Sequence, residues 1–331
     1  MRMPGEFEPH GRTVICWPCR DDLYPGARMN EARGAHATLA QAIARFEPVT
    51  MIAPPGLADD AADQCGSGID VVELPIDDSW FRDTGPIYVR DSAGERRAVD
   101  FTFNGWGGKY PPWTDDAAIA RRWADHAGHP VHDVELVFEG GSITTDGEGS
   151  FATTVECLLH PNRNPSMTQT EITSTLQSSL GADAILWLPF GLALDADTDG
   201  HVDNVAAFAA PGRLIVQGCD DPAEADHIRM NVNRRVADGW IDAHGRPIEI
   251  VEVPVLPFRE RDDERVAVPY LNFYVGNGFV VVPTCGHPAD DDMVALIAAQ
   301  FPGRETFGLE IGEILALGGG GIHCITQQIP A

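Results

Sequence analysis

Five polar blocks recur along this chain, and their spacing limits the folds that it can adopt. The blocks are marked by Trp80, Gly140, His201, Phe273 and His323, which are separated by 60, 61, 72 and 50 residues. Each block runs into a short β-rich segment, although the blocks share little sequence identity. Recurrence at a fixed period is typical of radial or solenoid repetition. The spacing therefore predicts five similar units, and five sheets around an axis would bring all five polar blocks to one centre.

Helical and strand patterns alternate between these blocks. Apolar residues recur with helical periodicity in residues 29–46, 115–127, 168–180, 222–238 and 289–300. Runs rich in β-branched residues and bounded by glycine and proline lie between them, at Val14–Trp17, Ile87–Arg90, Val134–Phe138, Leu214–Gln217 and Phe279–Pro283. Alternating strands and helices are typical of α/β proteins, and no low-complexity linker divides the chain. The sequence therefore predicts an α/β fold in one catalytic domain that spans residues 1–331.

The charge balance and the lack of long apolar segments argue against two classes of partner. The chain has 23 Lys and Arg residues against 50 Asp and Glu residues, which gives a net charge of −27. A nucleic-acid interface instead requires a basic surface. The longest apolar stretch, residues 185–194, is well short of the ~18 residues of a membrane helix. The N-terminal residues lack the apolar region of a secretory signal, and seven cysteines, an odd number, are typical of reduced thiols. We expect a cytoplasmic protein that binds neither nucleic acid nor membranes.

The segment Asp195–Gly200 matches the start of a calcium-binding EF-hand loop. The twelfth position of such a loop should be a bidentate Glu, but here it is Ala206, and proline and glycine interrupt any entering helix. In the alternative interpretation, Gly200 turns the chain into a strand on which His201 and Asp203 project from the same face. A histidine beside a carboxylate can hold a proton and deliver it. A calcium loop and a proton-transfer site both remain open for this block.

A run of four glycines, residues 318–321, precedes His323 and Cys324. No G-x-G-x-x-G pattern leads into a helix and no Lys-Ser/Thr pair follows, so a nucleotide site is not favoured. Glycines let the backbone approach a small bound group closely, which makes Cys324 a candidate nucleophile at the mouth of a strand. In a regular strand His323 would point to the opposite face, so we expect the proton partner of the thiol to come from elsewhere.

Cys16 and Cys19 form a C-x-x-C motif, which occurs in redox proteins and zinc sites. A thioredoxin-like motif begins a helix, but residues 20–26 contain Asp, Pro and Gly and cannot continue as one. A zinc site would need a second such motif, which the chain lacks. The sequence therefore favours a structural interpretation of this pair and predicts no metal site.

Acidic residues of three blocks complete the candidate site. Asp83 lies in an aromatic block, Glu139 precedes two glycines and Asp203 follows His201, whereas Asp77 and Asp78 are explained by turn formation. Three separated carboxylates, one His and one Cys that converge on one centre form a pocket for a cation that a thiolate attacks. A guanidinium fits such a pocket because it is planar, charged and bound bidentately by carboxylates.

At these blocks the sequence resembles the agmatine deiminase family, which includes the bacterial type of peptidylarginine deiminase. The matching segments span nearly the whole chain in order: Met3–His10, Asp77–Pro86, Phe103–Tyr110, Glu139–Gly141, Thr198–Asn204, Asn272–Tyr274 and Gly321–Pro330. Such an ordered set is far more specific than any single motif. The resemblance implies the five-bladed, pseudo-symmetric α/β propeller of guanidine-modifying enzymes, a pentein-like fold, which agrees with the five units predicted above.

The resemblance also implies a role for each matching residue. Cys324 corresponds to the family nucleophile and His201 to its acid/base. The family's guanidinium ligands correspond to Asp83, Glu139 and Asp203, and its substrate-binding residues to Trp80, which lines the pocket, and Asp197. At the position of Asp197 many relatives carry Glu near the distal amine of the substrate.

The implied activity is hydrolysis of agmatine to N-carbamoylputrescine and ammonia through a covalent Cys324 adduct, a step of polyamine biosynthesis that needs no cofactor. The alternative substrates are arginine and peptidylarginine, and the alternative of a different class is a non-catalytic calcium-binding protein. Arginine would need a basic partner for its α-carboxylate. Among the polar blocks only Arg82 is a candidate, and along a strand it would face away from Asp83. Agmatine is therefore the expected substrate, and the family suggests a homo-oligomer, a dimer or larger.

Overall fold

Five sheets of three or four strands form the framework of the protein, whose computed structural model describes residues 1–331. The strands are β1 (His10–Cys16), β2 (Val49–Ala53), β3 (Ile69–Glu73), β4 (Ile87–Arg90), β5 (Arg96–Thr102), β6 (Val131–Val137), β7 (Thr144–Thr145), β8 (Ser150–Thr154), β9 (Ala184–Leu188), β10 (Ala206–Ala210), β11 (Arg213–Gln217), β12 (Glu249–Val253), β13 (Phe258–Arg261), β14 (Glu264–Ala267), β15 (Tyr274–Gly276), β16 (Phe279–Pro283), β17 (Glu305–Leu309) and β18 (Thr326–Pro330). The strand orders of the sheets are β18-β1-β2-β3, β4-β5-β6, β7-β8-β9, β10-β11-β12 and β15-β16-β17, and β13 and β14 form a separate hairpin.

One connection pattern is common to all five sheets. The first two strands of each order are antiparallel, and the next strand is parallel to the second and is reached through a helix. The helices are α1 (Ala27–Ala44), α2 (Ala58–Cys65), α3 (Phe81–Thr84), α4 (Gly105–Gly108), α5 (Asp116–Ala127), α6 (Val155–Leu158), α7 (Gln169–Leu180), α8 (Ala225–Ala237), α9 (Asp290–Ala298) and α10 (Gly312–Ala316), with 3₁₀ turns at Gly140–Ser142 and Val202–Asn204. The predicted α/β class is confirmed. No helix combines the length and the apolar character that a membrane crossing requires.

The predicted elements are present with small differences at their ends. Helices α1, α5, α7, α8 and α9 correspond to the five periodic segments, and β1, β4, β6, β11 and β16 correspond to the five β-rich runs. Trp17 lies outside β1, and the remaining strands were not individually predicted. Each of the five polar blocks leads into the first strand of a sheet, namely β4, β7, β10, β15 or β18. Each block therefore lies ahead of the corresponding strand in its sheet.

Local chemistry explains where the crossover elements begin and end. Thr168 and Glu171 form a capping box at the start of α7, and Gly181 ends the helix in the left-handed conformation (φ 79°). Gly128 ends α5 in the same way (φ 69°). Strands β2 and β16 are buried along their whole length, as their apolar sequences VTMIA and FVVVP require.

The first sheet joins the two ends of the described chain. Strand β18 pairs antiparallel with β1, so that Thr326 lies opposite Ile15, and β1 pairs in parallel with β2. The largest apolar cluster contains residues of this sheet and of α1, and it also includes Trp80 and Cys324. Cys324 is therefore anchored between the strand that closes the first sheet and the polar block ahead of β4.

Candidate active site

A small cavity opens at Cys324. Its lining includes four of the seven predicted site residues, Trp80, Asp83, Asp197 and Cys324, together with Leu23, Asp78, Trp106, Tyr110, Thr198, Gly318 and Gly319. The other three predicted residues, Glu139, His201 and Asp203, are almost completely buried. His201 lies beside Asp83, Asp203 lies beside Cys324, and Glu139 lies behind them beside His201. The structure therefore brings all seven predicted residues together.

Cys324 is held by an amide and a carboxylate. Its Sγ lies 3.2 Å from Nδ2 of Asn272 and 3.5 Å from Oδ2 of Asp203. Burial raises the pKa of the thiol well above its usual range, and the charges of Asp203 and Asp83 raise it further. In the free protein Cys324 is therefore a thiol at neutral pH, and a bound cation would favour its ionisation.

The expectation that His323 points to the opposite face of a strand from Cys324 is wrong. Residues 322–325 form a turn and β18 begins only at Thr326, so the alternation of a regular strand does not apply to His323 and Cys324. The ring of His323 lies against the site: its Nδ1 is 2.9 Å from Oδ2 of Asp203, the same oxygen that approaches the thiol. Its Nε2 is 2.9 Å from Oε1 of Glu6.

His201 lies between two carboxylates. Its Nδ1 is 3.7 Å from Oδ1 of Asp83, its Nε2 is 3.6 Å from Oε2 of Glu139, and neither nitrogen has a hydrogen-bond partner. Burial alone would lower the pKa of the ring, but the charge of Asp83 and the neighbouring Cys157 and Glu139 raise it well above its usual range. His201 therefore carries a proton, which the nearby carboxylates of Asp83 and Glu139 stabilise.

The carboxylate of Asp83 is oriented by two N–H donors. The backbone N–H of Gly141 donates to Oδ1 at 2.8 Å, and the indole Nε1–H of Trp106 donates to Oδ2 at 2.9 Å. Burial raises the pKa of Asp83, and the charge of His201 opposes this effect. Asp203 differs because its Oδ1 is buried without a partner, which leaves one acceptor for a ligand N–H.

Glu139 is paired with a buried arginine. Nε of Arg163 donates to Oε1 of Glu139 at 2.7 Å, and the same guanidinium pairs with Asp199 at 2.7 Å. Burial opposes ionisation of Glu139, but the charges of Arg163 and His201 lower its pKa below the usual range. Glu139 is therefore ionised beside His201 and cannot rotate away from it without breaking the pair with Arg163.

Gly141 leaves the space in which these groups meet. A Cβ atom at this position would lie 2.6 Å from Nδ1 of His201, 2.8 Å from Oδ1 of Asp83 and 3.0 Å from Oδ2 of Asp203. Contacts below 3.0 Å essentially never occur for real Cβ atoms. The glycine of the Glu139–Gly141 block is therefore required by the close approach of three site residues.

The loop at Asp195 uses its carboxylates within the protein. Asp195 accepts hydrogen bonds from Thr198, from the backbone N–H of His201 and from Nδ2 of Asn204. Asp199 is paired with Lys109 and Arg163. These partners occupy the oxygens that calcium would need, so the geometry favours the alternative interpretation of the block.

The alternative interpretation, in which Gly200 turns the chain into a strand that carries His201 and Asp203, is wrong in one detail. Gly200 does not lead directly into a strand, because Val202–Asn204 is a 3₁₀ turn and β10 begins at Ala206. His201 and Asp203 reach the site from this turn.

The cavity lining contains acidic residues. Asp197 accepts a hydrogen bond from the hydroxyl of Tyr110, and its backbone carbonyl accepts one from Lys109, the only lysine of the chain, at 3.1 Å. Arg82 does not line the cavity: it lies in α3 instead of a strand, and its guanidinium is directed at Glu6, 3.2 Å away. Three Asp residues line the cavity, and no Arg or Lys does.

Two cysteine-containing groups are poorly suited to metal or redox chemistry. Glu139, Cys157 and His201 place ligand atoms within 4.8 Å of one another, but Arg163 already binds Glu139, and burial raises the pKa of Cys157. A thiol must ionise to bind a metal. All seven cysteines are free, and burial also raises the pKa of both thiols of the C-x-x-C motif.

Sequence reasoning missed several residues that shape the site: Glu6, Trp106, Tyr110, Arg163, Asn272 and His323. All but Arg163 fall in segments that match the agmatine deiminase family. Their roles depend on side-chain directions in turns, which period and spacing do not indicate.

Comparisons with known proteins agree over almost the full chain. A family model described as Porphyromonas-type peptidyl-arginine deiminase matches residues 2–330. A protein named agmatine deiminase from Pseudomonas aeruginosa (strain UCBPP-PA14) is 41% identical, over 100% of this chain and 95% of the relative. The solved agmatine deiminase of Enterococcus faecalis superposes with a TM-score of 0.93 at 31% identity, over 99% of this chain and 95% of that one. An amidinotransferase from Microseira wollei shares the fold alone, with a TM-score of 0.55 at 13% identity over 99% and 96% of the two chains.

Proposed function

The chain belongs to the Porphyromonas-type peptidyl-arginine deiminase family, and we propose that within this family it is an agmatine deiminase. The reaction is hydrolysis of a C–N bond: agmatine and water give N-carbamoylputrescine and ammonia. This assignment follows the names of the similar proteins from Pseudomonas aeruginosa and Enterococcus faecalis. Polyamine biosynthesis is the pathway that we propose for this product.

The negative charge of the cavity lining is the observation that favours agmatine as the substrate. Asp83 and Asp197 line the cavity without any Arg or Lys, and the third lining carboxylate, Asp78, is paired with the buried Arg20 at 3.0 Å. Agmatine is cationic at both ends, whereas arginine carries an α-carboxylate that would be desolvated without a partner. In the wider vestibule outside the cavity, Arg28 is paired with Asp262 and Glu264, and Arg265 with Glu224. These arginines are already neutralised, so they offer little to an incoming carboxylate.

In the proposed first step the thiol of Cys324 releases its proton to solvent, and the thiolate formed attacks the guanidinium carbon. Asp83, Glu139 and Asp203 surround the position of the guanidinium and compensate its charge. Resonance makes this carbon a poor electrophile, so its orientation against Sγ supplies much of the rate. The positive charge of the bound substrate also lowers the cost of ionising a thiol that burial keeps protonated.

His201 is the proposed acid and base. Its proton passes to a nitrogen of the tetrahedral adduct, the C–N bond breaks, and ammonia leaves an amidino-thioether on Cys324. Neutral His201 then takes a proton from water, whose oxygen adds to the same carbon. The C–S bond breaks, the remaining hydroxyl proton is lost to solvent and is taken up by the released ammonia, the ureido product leaves, and the thiolate is regenerated. Every step uses side chains of this chain, so the proposal includes no cofactor.

The larger architecture is part of the same proposal. We infer that the five similar sheets are the blades of a pseudo-symmetric α/β propeller, with the five polar blocks at its centre, and that residues 1–331 form one catalytic domain. The convergence of residues from four of the blocks on one cavity supports this arrangement. We further propose a cytoplasmic homo-oligomer, a dimer or larger, that does not bind nucleic acid; its seven free thiols and its charge of −27 fit this proposal.

A substrate panel tests the assignment. Ammonia release is measured with agmatine, arginine, peptidylarginine and guanidinoalkanes of several lengths, with and without a chelator. Agmatine should have the highest kcat/KM, and the chelator should have no effect, whereas a calcium-dependent protein would respond to it. A higher kcat/KM for arginine or peptidylarginine would show that this compound, and not agmatine, is the preferred substrate.

The nucleophile is tested separately by Cys324→Ser, which should abolish turnover without loss of the fold, because a hydroxyl is far less ionised than a thiol. Acid quenching of the active protein during turnover should trap the amidino adduct on the peptide that contains Cys324. Cys16→Ser and Cys19→Ser are the matched controls and should retain activity. Equal loss in the controls would remove the special role of Cys324.

A further inference from the structure

We infer that His323 is a positioning residue that stays protonated: Glu6 and Asp203 hold it as an imidazolium, and its charge offsets that of Asp203 and favours ionisation of the Cys324 thiol. The inference rests on the proposed function for the use of the thiolate, but the effect on the thiol itself requires no substrate. It assigns a role in the site to Glu6.

The two ring nitrogens of His323 define its protonation. Nδ1 lies 2.9 Å from Oδ2 of Asp203, and Nε2 lies 2.9 Å from Oε1 of Glu6. An ionised carboxylate only accepts hydrogen bonds, so each nitrogen must carry a hydrogen to satisfy its partner. A neutral imidazole has one N–H and would face one carboxylate with a lone pair. The arrangement therefore selects the imidazolium.

The thiol shares the oxygen that His323 binds. Sγ of Cys324 lies 3.5 Å from Oδ2 of Asp203. Asn272 fixes the turn that carries both residues, because its Oδ1 accepts the backbone N–H of His323 at 2.9 Å and its Nδ2 lies 3.2 Å from Sγ. The positive ring and the sulfur are thus held on one carboxylate by a rigid turn.

Charged groups from three elements face His323. Glu6 comes from the segment before β1, Asp203 from the 3₁₀ turn before β10, and Arg82 from α3. Arg82 pairs with Glu6 at 3.2 Å, and its Nε donates to the backbone carbonyl of His323 at 3.4 Å. The ring of His10 is the further titratable group near Glu6, to whose carbonyl it is hydrogen-bonded.

The directions of the pKa shifts agree with a triad of charged side chains, in which the carboxylates of Glu6 and Asp203 flank the imidazolium of His323. Burial opposes ionisation of Glu6, yet His323 and Arg82 lower its pKa to about 2. Burial and Arg82 oppose the protonation of His323, but Glu6 and Asp203 raise its pKa above the usual range. Burial likewise opposes ionisation of Asp203, and His323 lowers its pKa.

The charged triad of Glu6, His323 and Asp203 resolves an electrostatic conflict within the site. Three carboxylates serve the guanidinium, but the same charges oppose the thiolate that must attack it. Asp203 is the carboxylate in contact with Sγ. A cation bonded to the same oxygen of Asp203 reduces the repulsion between this carboxylate and the thiolate, and His323 does so from outside the cavity lining.

The test is the rate of alkylation of Cys324 by iodoacetamide from pH 6 to pH 10, followed on the Cys324 peptide by mass spectrometry. Only the thiolate reacts, so a raised thiol pKa moves the rising profile to higher pH. His323→Gln removes the charge, and the rate at pH 8 should fall about tenfold, which corresponds to a shift of one pKa unit. Glu6→Gln keeps an acceptor for Nε2–H but removes the anion, and a smaller fall in the same direction is expected.

Matched controls are His36→Gln and Glu47→Gln. His36 is buried and bonded only to a backbone carbonyl, and Glu47 is a buried carboxylate paired with His10 at 3.2 Å. Both controls should keep the wild-type profile. An unchanged profile in folded His323→Gln would overturn the inference; if that variant does not fold, an unchanged profile in Glu6→Gln overturns it. Because agmatine is absent, a wrong substrate assignment would leave these results unaffected.

Discussion

The indole N–H of Trp106 donates to Oδ2 of Asp83 at 2.9 Å from a left-handed backbone, with φ at 52°. Gly105 and Gly107 on either side also have positive φ. Bulky residues rarely adopt this conformation, which costs of the order of 1 kcal/mol. Trp106 therefore contacts Asp83 from a strained turn. The other carboxylate oxygen of Asp83 accepts a hydrogen bond from the backbone N–H of Gly141.

Replacing Trp106 with Phe keeps an aromatic ring but removes the N–H that orients Asp83. We expect kcat/KM for agmatine to fall by roughly 10-fold to 100-fold, because a hydrogen bond to a charged group contributes about 1.5–3 kcal/mol. Steady-state kinetics and thermal unfolding should be measured together. Trp123→Phe is the control, since it removes an indole N–H that binds Tyr88 at 3.0 Å. Similar losses of kcat/KM in both variants would contradict a specific role for Trp106.

Gly141→Ala should abolish most of the activity while the protein remains folded. The added methyl would lie 2.6 Å from His201 and 2.8 Å from Asp83, so the two groups must move apart. Displacement of this size can reduce turnover by about 10²-fold or more. Gly34→Ala serves as the comparison: it lies in α1 with open space around it, and a stabilisation of roughly 0.5–1 kcal/mol is expected. Wild-type kcat/KM in Gly141→Ala would show that the site tolerates the methyl.

The raised pKa of the Cys324 thiol predicts an alkaline pH optimum. The free enzyme must lose this proton before attack, and burial together with Asp203 and Asp83 holds the pKa above its usual range. Below that pKa, kcat/KM should rise by up to about tenfold per pH unit, so it should increase throughout pH 6 to 8. His201 remains protonated over this interval because its own pKa is raised. A flat kcat/KM between pH 6 and pH 8 would indicate a thiolate that already exists in the free enzyme.

Asp197→Asn should weaken the binding of agmatine more than its chemistry. Asp197 lines the cavity and accepts a hydrogen bond from the hydroxyl of Tyr110. Loss of its charge should raise KM for agmatine by roughly tenfold with a small change in kcat, as expected for a contact with a charged group. The ratio of kcat/KM for agmatine to that for arginine should also fall. The exposed Asp238→Asn is the control, and an unchanged KM in Asp197→Asn would place the ammonium elsewhere.

The recurrence of polar blocks predicted the position of the site because each block precedes the first strand of a sheet. The same spacing could not give side-chain directions inside the turns. His323 was expected on the far face because alternation was applied to residues 322–325, which form a turn before β18. Trp106 was missed for a related reason: its contact with Asp83 depends on a positive φ that an aromatic residue seldom adopts.

The sequence also did not show which charged residues from distant parts of the chain form salt bridges. Arg163 neutralises Glu139 and Asp199, and Glu6 reaches His323 from the opposite end of the sequence. A single sequence contains no signal for which arginine meets which acid, since a charge pattern gives no direction in space. The calcium-like loop shows the same difficulty, because its acids match a ligand spacing while their partners are Thr198, Lys109 and Arg163.

The pairing of β18 with β1 also affects biosynthesis. On the ribosome, β1, β2 and β3 are made early, but β1 lacks its antiparallel neighbour until Thr326–Pro330 has been translated. Only Ile325 separates Cys324 from that segment, so the proposed nucleophile and the strand that covers the edge of the first sheet are delivered together. A nascent or truncated chain that stops before Cys324 has an open β-edge, which is prone to aggregation, and lacks the proposed nucleophile. Under the proposed mechanism, a chain therefore gains the thiol that would attack a guanidine only as the strand that completes its first sheet is made.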